Sequence, residues 1–81
     1  GKILKAFRVD IQPEKDHGGI EYTHAGEEFL YVLSGQVEIE IGSEKHSLRD
    51  DGFVHFDSSI PHRLHNPGST VARTLVVLYA P

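Results

Sequence analysis

The chain has 81 residues, no cysteine, and eight basic against twelve acidic side chains, for a net charge of −4. That is one small domain with a marginal core, which a bound metal or a second subunit would help to hold. Disulfides and thiolate zinc sites are excluded, interspersed charge without a basic stripe argues against direct nucleic-acid binding, and no apolar run approaches the roughly 20 residues of a membrane helix.

In chain order, every segment reads as a short strand or a turn. Phe7, Val9 and Ile11 alternate with other residues in a strand that ends at Gln12-Pro13. Residues 14–19 are polar and glycine-rich, as in a loop. A short strand is expected at Tyr22–His24 and a longer one at Glu28–Leu33, ended by a turn at Ser34-Gly35. Val37, Ile39 and Ile41 alternate with Glu38 and Glu40, the clearest half-exposed strand. Gly42-Ser43 then forms a hairpin turn into Lys45–Leu48. Arg49-Asp50-Asp51-Gly52 is a turn before Phe53–Phe56, Asp57–Pro61 is a loop, and His62–His65 is a short strand closed by Asn66-Pro67-Gly68-Ser69. Val71–Tyr79 is nearly all apolar, which predicts a strand buried on both faces or used in a subunit contact. No stretch has a helical period. Eight or nine short strands in one domain predict an all-β jelly-roll barrel.

Within this frame His24 and Glu28 stand out. Side chains alternate along an extended chain, so His24 and Glu28, four apart, are expected on the same side, and Glu28 shares the inward face of Leu30 and Val32. A carboxylate at the mouth of an apolar interior needs a counter-charge, because burying it unpaired is costly. A metal ion would supply one, and so would protonated His24.

The segment His24-x3-Glu28-x6-Gly35 resembles the second half of the first cupin motif, and Pro61-His62-x3-Asn66 resembles the end of the second. The resemblance runs from the Phe7 strand to Tyr79. It implies a small single-domain cupin across residues 1–81, with one divalent metal ion on His24, Glu28 and His62. Two imidazoles and a carboxylate form the facial triad typical of non-haem iron; zinc tolerates the same donors, and nickel and manganese are further candidates. Tyr22 takes the place of the fourth cupin ligand and is expected to hydrogen-bond a metal-bound water, to act as an occasional metal ligand, or to touch the bound molecule. Asp57-Ser58-Ser59 replaces the usual Pro-x-Gly of the second motif, a substitution that resembles the transcriptional-regulator branch of the family. Phe56 and Leu64 are expected to shape the ligand pocket, along with Phe29 and Phe53. Asn66 is read as stabilising the turn that follows it.

The remaining histidines are expected elsewhere. His17 falls in the polar loop, His46 on an exposed strand, and His55 outward or in a subunit contact. His65 and Arg63 are out of phase with His62 and should face away from it. Glu38, Glu40 and Glu44 read as a solvated acidic face.

The two motif segments are most similar to the C-terminal cupin domain of bacterial helix-turn-helix transcriptional regulators. They are also similar to hydroxypropylphosphonate epoxidases, which combine such a domain with an iron-bearing cupin. The first similarity implies a cytoplasmic, homodimeric sensor of a small polar metabolite, excised from a longer protein with a DNA-binding domain before Gly1; the absence of Met agrees with that. The strand Ile3–Val9 would be the conduit between the domains. The second similarity implies an Fe(II) dioxygenase or epoxidase. A third expectation is a metal-binding barrel kept only for dimerisation.

Overall fold

A computed structural model of the chain describes residues 2–13 and 21–81, with the side chains of Glu21 and Tyr22 outside the description. His17 therefore lies outside the described residues. Eight strands are present: β1 (Ile3–Ile11), β2 (Glu21–Tyr22), β3 (Glu27–Ser34), β4 (Gln36–Ile41), β5 (Glu44–Arg49), β6 (Phe53–Asp57), β7 (His62–His65) and β8 (Ala72–Ala80). They form two antiparallel four-stranded sheets, ordered β1-β8-β3-β6 and β2-β7-β4-β5. Among the described residues there is no helix, and none long and apolar enough to cross a membrane. The chain is an all-β jelly roll.

Strand alternation decides which side chains meet between the sheets. In β4, Val37, Ile39 and Ile41 are buried while Gln36, Glu38 and Glu40 lie on the other face. In β3, Glu28, Leu30 and Val32 form the inward row. The registers then stack the barrel in layers. At the closed end, Val32 lies opposite Thr74, and Val37 opposite Leu48. In the middle, Leu30 faces Val54 and Val76 across its sheet, while Ile39 faces Leu64. At the open end, Glu28 lies between Phe56 and Leu78, and His62 between Tyr22 and Ile41.

The closed end is sealed by polar side chains that act on main chain. Asn66 is fully buried; its Nδ2 donates to Ile11 O (2.9 Å) and Thr70 O (2.7 Å), and its Oδ1 accepts from Gly68 N (2.8 Å). The turn-stabilising role expected of Asn66 is present, and the side chain also ties down the end of β1. Buried Thr74 donates to Val9 O (2.8 Å), a second fastening of β1 to β8. These bonds satisfy groups that would be costly to bury unpaired.

Three expectations need correction. First, β8 is not buried on both faces of the isolated chain. Ala72 and Thr74 are buried but Arg73 and Leu75 are exposed, because no layer of this chain covers the outer face of its sheet. Second, Glu44 does not share a face with Glu38 and Glu40. The turn after Ile41 sets Glu44 opposite Ile41, on the inward parity, whereas Lys45 reaches Glu38 (3.6 Å) and Glu40 (3.8 Å) on the outside. Third, His46 is half-buried, since its register opposite Ile39 turns it toward the interior.

Candidate metal centre

Three separate pieces of chain bring donors to the open end. Glu28 begins the inward row of β3 and is the one acidic side chain among the described residues that is buried. His62 begins β7 and is 4% exposed. His24 precedes β3 and is half-buried.

The segment from His24 to Glu28 is not extended, and the expected short strand ends at Tyr22. The chain bends at Ala25-Gly26, where Gly26 takes φ +112°. A Cβ there would stand 1.9 Å from Tyr79 O, so glycine is required both for the conformation and for the close approach. This bend, and not strand parity, swings the His24 ring back over Glu28.

His24 Nε2 lies 3.2 Å from Glu28 Oε1, and His62 Nε2 lies 3.5 Å from the same oxygen. One donor atom from each residue falls within 4.8 Å of the other two, and no other such cluster of three occurs among the described residues. Donors about 2.1 Å from a common ion sit roughly 3.0–3.5 Å from one another. Both imidazole nitrogens stand at that spacing from Glu28 Oε1, and two imidazoles with one carboxylate suit a divalent metal in donor type and charge.

The imidazole of His62 is already oriented for that role. Its Nδ1 is 2.9 Å from Ile60 O. A carbonyl only accepts, so Nδ1 carries the proton and Nε2 keeps its lone pair for the centre. Phe56 packs edge-on against the ring (centroids 4.9 Å, 68°), and His24 does the same from another side (5.4 Å, 78°).

Main-chain bonds join the two histidine-bearing loops. His24 N donates to Ser58 O (2.9 Å) and Ser58 N donates to Gly26 O (3.0 Å). Asp57 shapes the second loop by accepting from Ser59 Oγ (2.7 Å) and Ser59 N (2.9 Å). The Ser59 hydroxyl, followed by its N–H, holds the Asp57 carboxyl below its ordinary pKa. Ser58 itself is fully buried, and its hydroxyl has no hydrogen-bond partner among the described residues.

A cavity of about 340 Å³ opens onto the triad, walled by Val9, Ile39, Leu64, Val76 and Leu78. Leu64 thus lines the pocket and Phe56 buttresses His62. Phe29 and Phe53 point outward, stacking with Tyr31 on the opposite face of their sheet (Phe29–Phe53 centroids 5.7 Å, Tyr31–Phe53 6.4 Å). The Tyr22 side chain lies outside the description, although its backbone pairs with His62. His55 faces outward and meets Glu27 at 2.8 Å. His65 faces away from the site toward Glu38 (3.5 Å), and Arg63 lies opposite Glu40.

Sequence reasoning did not single out Ser58, whose role is carried by main-chain atoms. The only trace was that Asp57-Ser58-Ser59 departs from the usual cupin pattern. Nor did it single out Lys5, whose inward parity was readable from Phe7 and Val9.

Residues 7–78 match the model of the Cupin_2 family, described as a cupin domain, and the chain belongs to that family. No curated protein matches the sequence. Among solved structures, a conserved Streptococcus pyogenes protein of unknown function is similar at 22% identity and TM-score 0.82, over 96% of this chain and 65% of that one. HppE, in an iron(II) complex with substrate, is similar at 25% identity and TM-score 0.81, over 93% of this chain and 45% of that one. The cupin domain of an XRE family transcriptional regulator from Enterobacter cloacae is similar at 22% identity and TM-score 0.79, over 99% of this chain and 97% of that one. The chain thus spans less than two thirds of the first two and nearly all of the third.

Proposed function

We propose that this cupin is the metal-binding sensor domain of a cytoplasmic bacterial transcriptional regulator. The observation that carries the reading is the triad of His24, Glu28 and His62 at the end of an otherwise aliphatic cavity, where an entering ligand must meet the ion. Likeness to the Enterobacter regulator domain, over nearly the full length of both chains, supports the regulatory half. A metal there supplies open coordination positions and positive charge; the protein supplies three donors and dry walls. Occupancy is reported only if the ligand favours one conformation of the whole protein. β1 is the route, since Val9 lines the cavity and Ile3 begins the strand nearest a preceding domain.

Two measurements test the two halves. Elemental analysis of the purified chain should find about one divalent ion per chain, lost in His62→Ala; equal contents would overturn the metal reading. The reading frame around the chain should encode a helix-turn-helix segment before Gly1, and its absence would overturn the regulator reading.

Likeness to HppE in its iron(II) form favours a second reading, an Fe(II)-dependent oxygenase-type enzyme. Iron would then supply redox chemistry, with His24, Glu28 and His62 holding it. Oxygen uptake on adding Fe(II) and a substrate panel is the expected sign, and its absence would remove this reading.

The sensor is also proposed to be a homodimer through the outer face of the β1-β8-β3-β6 sheet. That face carries exposed Leu4, Leu33, Phe53 and Leu75 beside the Phe29–Tyr31 pair. Charges of both signs rim it, with Glu27 and Asp57 at one end and Arg73 opposite Asp10 at the other, so it is the apolar middle that fits the face to a second copy. Sedimentation should give a dimer that Phe53→Glu dissociates; a monomeric wild type at high concentration would overturn this.

A further inference from the structure

The inward row of β1 reads Ile3, Lys5, Phe7, Val9, Ile11, so one lysine stands in an otherwise apolar row, opposite Leu78. Lys5 is exposed and has no ion-pair partner among the described residues. It lines a second cavity of about 270 Å³ together with Ile3, His24, Ala25 and Leu78. His24 and Leu78 also line the aliphatic chamber of about 340 Å³. The two spaces thus adjoin at the His24 ring, with hydrocarbon walls on one side and an ammonium group on the other.

This arrangement restricts what can be bound. Among the described residues beyond the triad, Val9, Ile39, Leu64, Val76 and Leu78 offer the chamber no side-chain hydrogen bond, so the part of a ligand that packs against them is hydrocarbon. The polar part must remain at the junction. There a divalent ion on two neutral imidazoles and one carboxylate leaves a net charge of about +1, which one anionic group neutralises. Lys5 is the single cation among the described residues lining either space. One lysine and one residual positive charge make about +2 at the junction, which favours an anionic head group over a neutral one.

We infer that the site takes an aliphatic acid, its anionic head group at the His24 junction within the field of Lys5 and its hydrocarbon chain in the Val9–Leu64–Val76 chamber. The contact of the head group with the ion rests on the metal reading above. The Lys5 contact and the chamber do not.

The test uses the full chain loaded with Zn(II), titrated with straight-chain alkanoates from propanoate to octanoate and followed by methyl and amide NMR shifts. Affinity should rise roughly fourfold per added methylene until the chamber is full. Hexanamide, which has the same chain and no charge, should bind at least tenfold more weakly than hexanoate. Lys5→Gln should weaken hexanoate about tenfold while leaving zinc content and hexanamide binding unchanged. Val9→Phe, which fills the chamber, should move the preference to shorter acids. Equal binding of acid and amide, or no effect of Lys5→Gln, would overturn the inference. Zinc bound without any alkanoate binding would overturn it too, with the metal centre left standing. If the chain takes up no zinc, the metal reading fails and the same titration of the metal-free chain decides: Lys5-dependent hexanoate binding upholds the inference, and none overturns it.

Discussion

The two ends of this barrel follow opposite rules. At the closed end and middle, Leu30, Val32, Val37 and Ile39 are at most 1% exposed, and Asn66 and Thr74 are matched bond for bond with main chain. At the open end the same inward rows carry Glu28, His62 and Lys5, beside a cavity that the side chains leave unfilled. One end satisfies itself. The other is built from groups whose partners come from outside, and a buried carboxylate flanked by two imidazoles is tolerable there because an ion can complete it. Stability and function are thereby separated along the strands, within a distance of a few residues.

The sharpest way to break that separation is to move disorder from one end to the other. Leu30→Ala removes a fully buried side chain from the middle layer and should cost about 2–5 kcal/mol in urea unfolding, a large share of what so small a domain possesses. Gly26→Ala should cost about 1–3 kcal/mol through its positive φ, with more from the collision at Tyr79 O. Because the damage lies at the mouth, it should also abolish metal uptake, which elemental analysis would read.

A middle-sized effect concerns the donors themselves. Glu28→Gln should lose the metal yet leave the metal-free chain as stable as wild type or more so, since it removes a buried charge. Chelator should lower the wild-type melting temperature and leave that of Glu28→Gln unmoved, because only a ligand-binding native state gains from mass action. A wild type indifferent to chelator would erase the contrast between the two ends.

Smaller still is Ser58→Ala. Its hydroxyl is buried and unpartnered among the described residues, so the variant should gain about 1 kcal/mol while the loop's main-chain bonds persist. The last effect is one of pH. Asp57 has a lowered pKa in the folded chain because Ser59 donates to it twice. Its contribution is therefore complete above the ordinary value of 3.8 and is lost as pH falls through the lower folded value. Thermal melts between pH 5 and pH 2 should show a shallower acid loss in Asp57→Asn than in wild type.

Legibility in the sequence also divided between the ends. Strict alternation in β3 and β4 set the inward rows, so Glu28, Leu30, Val37 and Ile39 were readable from parity. The histidine pair was legible too, but for His24 the physical reason was wrong. A bend held by Gly26 does what extended geometry was expected to do, and short-range patterns carry no trace of the Tyr79 carbonyl that enforces it. The hidden part was long-range: Asn66 bonding to Ile11, Ser58 to His24, and the uncovered outer face that leaves Leu75 exposed.

The bonds between His24, Gly26 and Ser58 are all made by peptide groups. A frame of that kind is indifferent to what hangs from positions 24 and 62. Donor side chains can be exchanged there without rebuilding the loops, so the same scaffold can be retuned from a hard to a soft metal, or to none, by substitutions that leave the two loops stitched together.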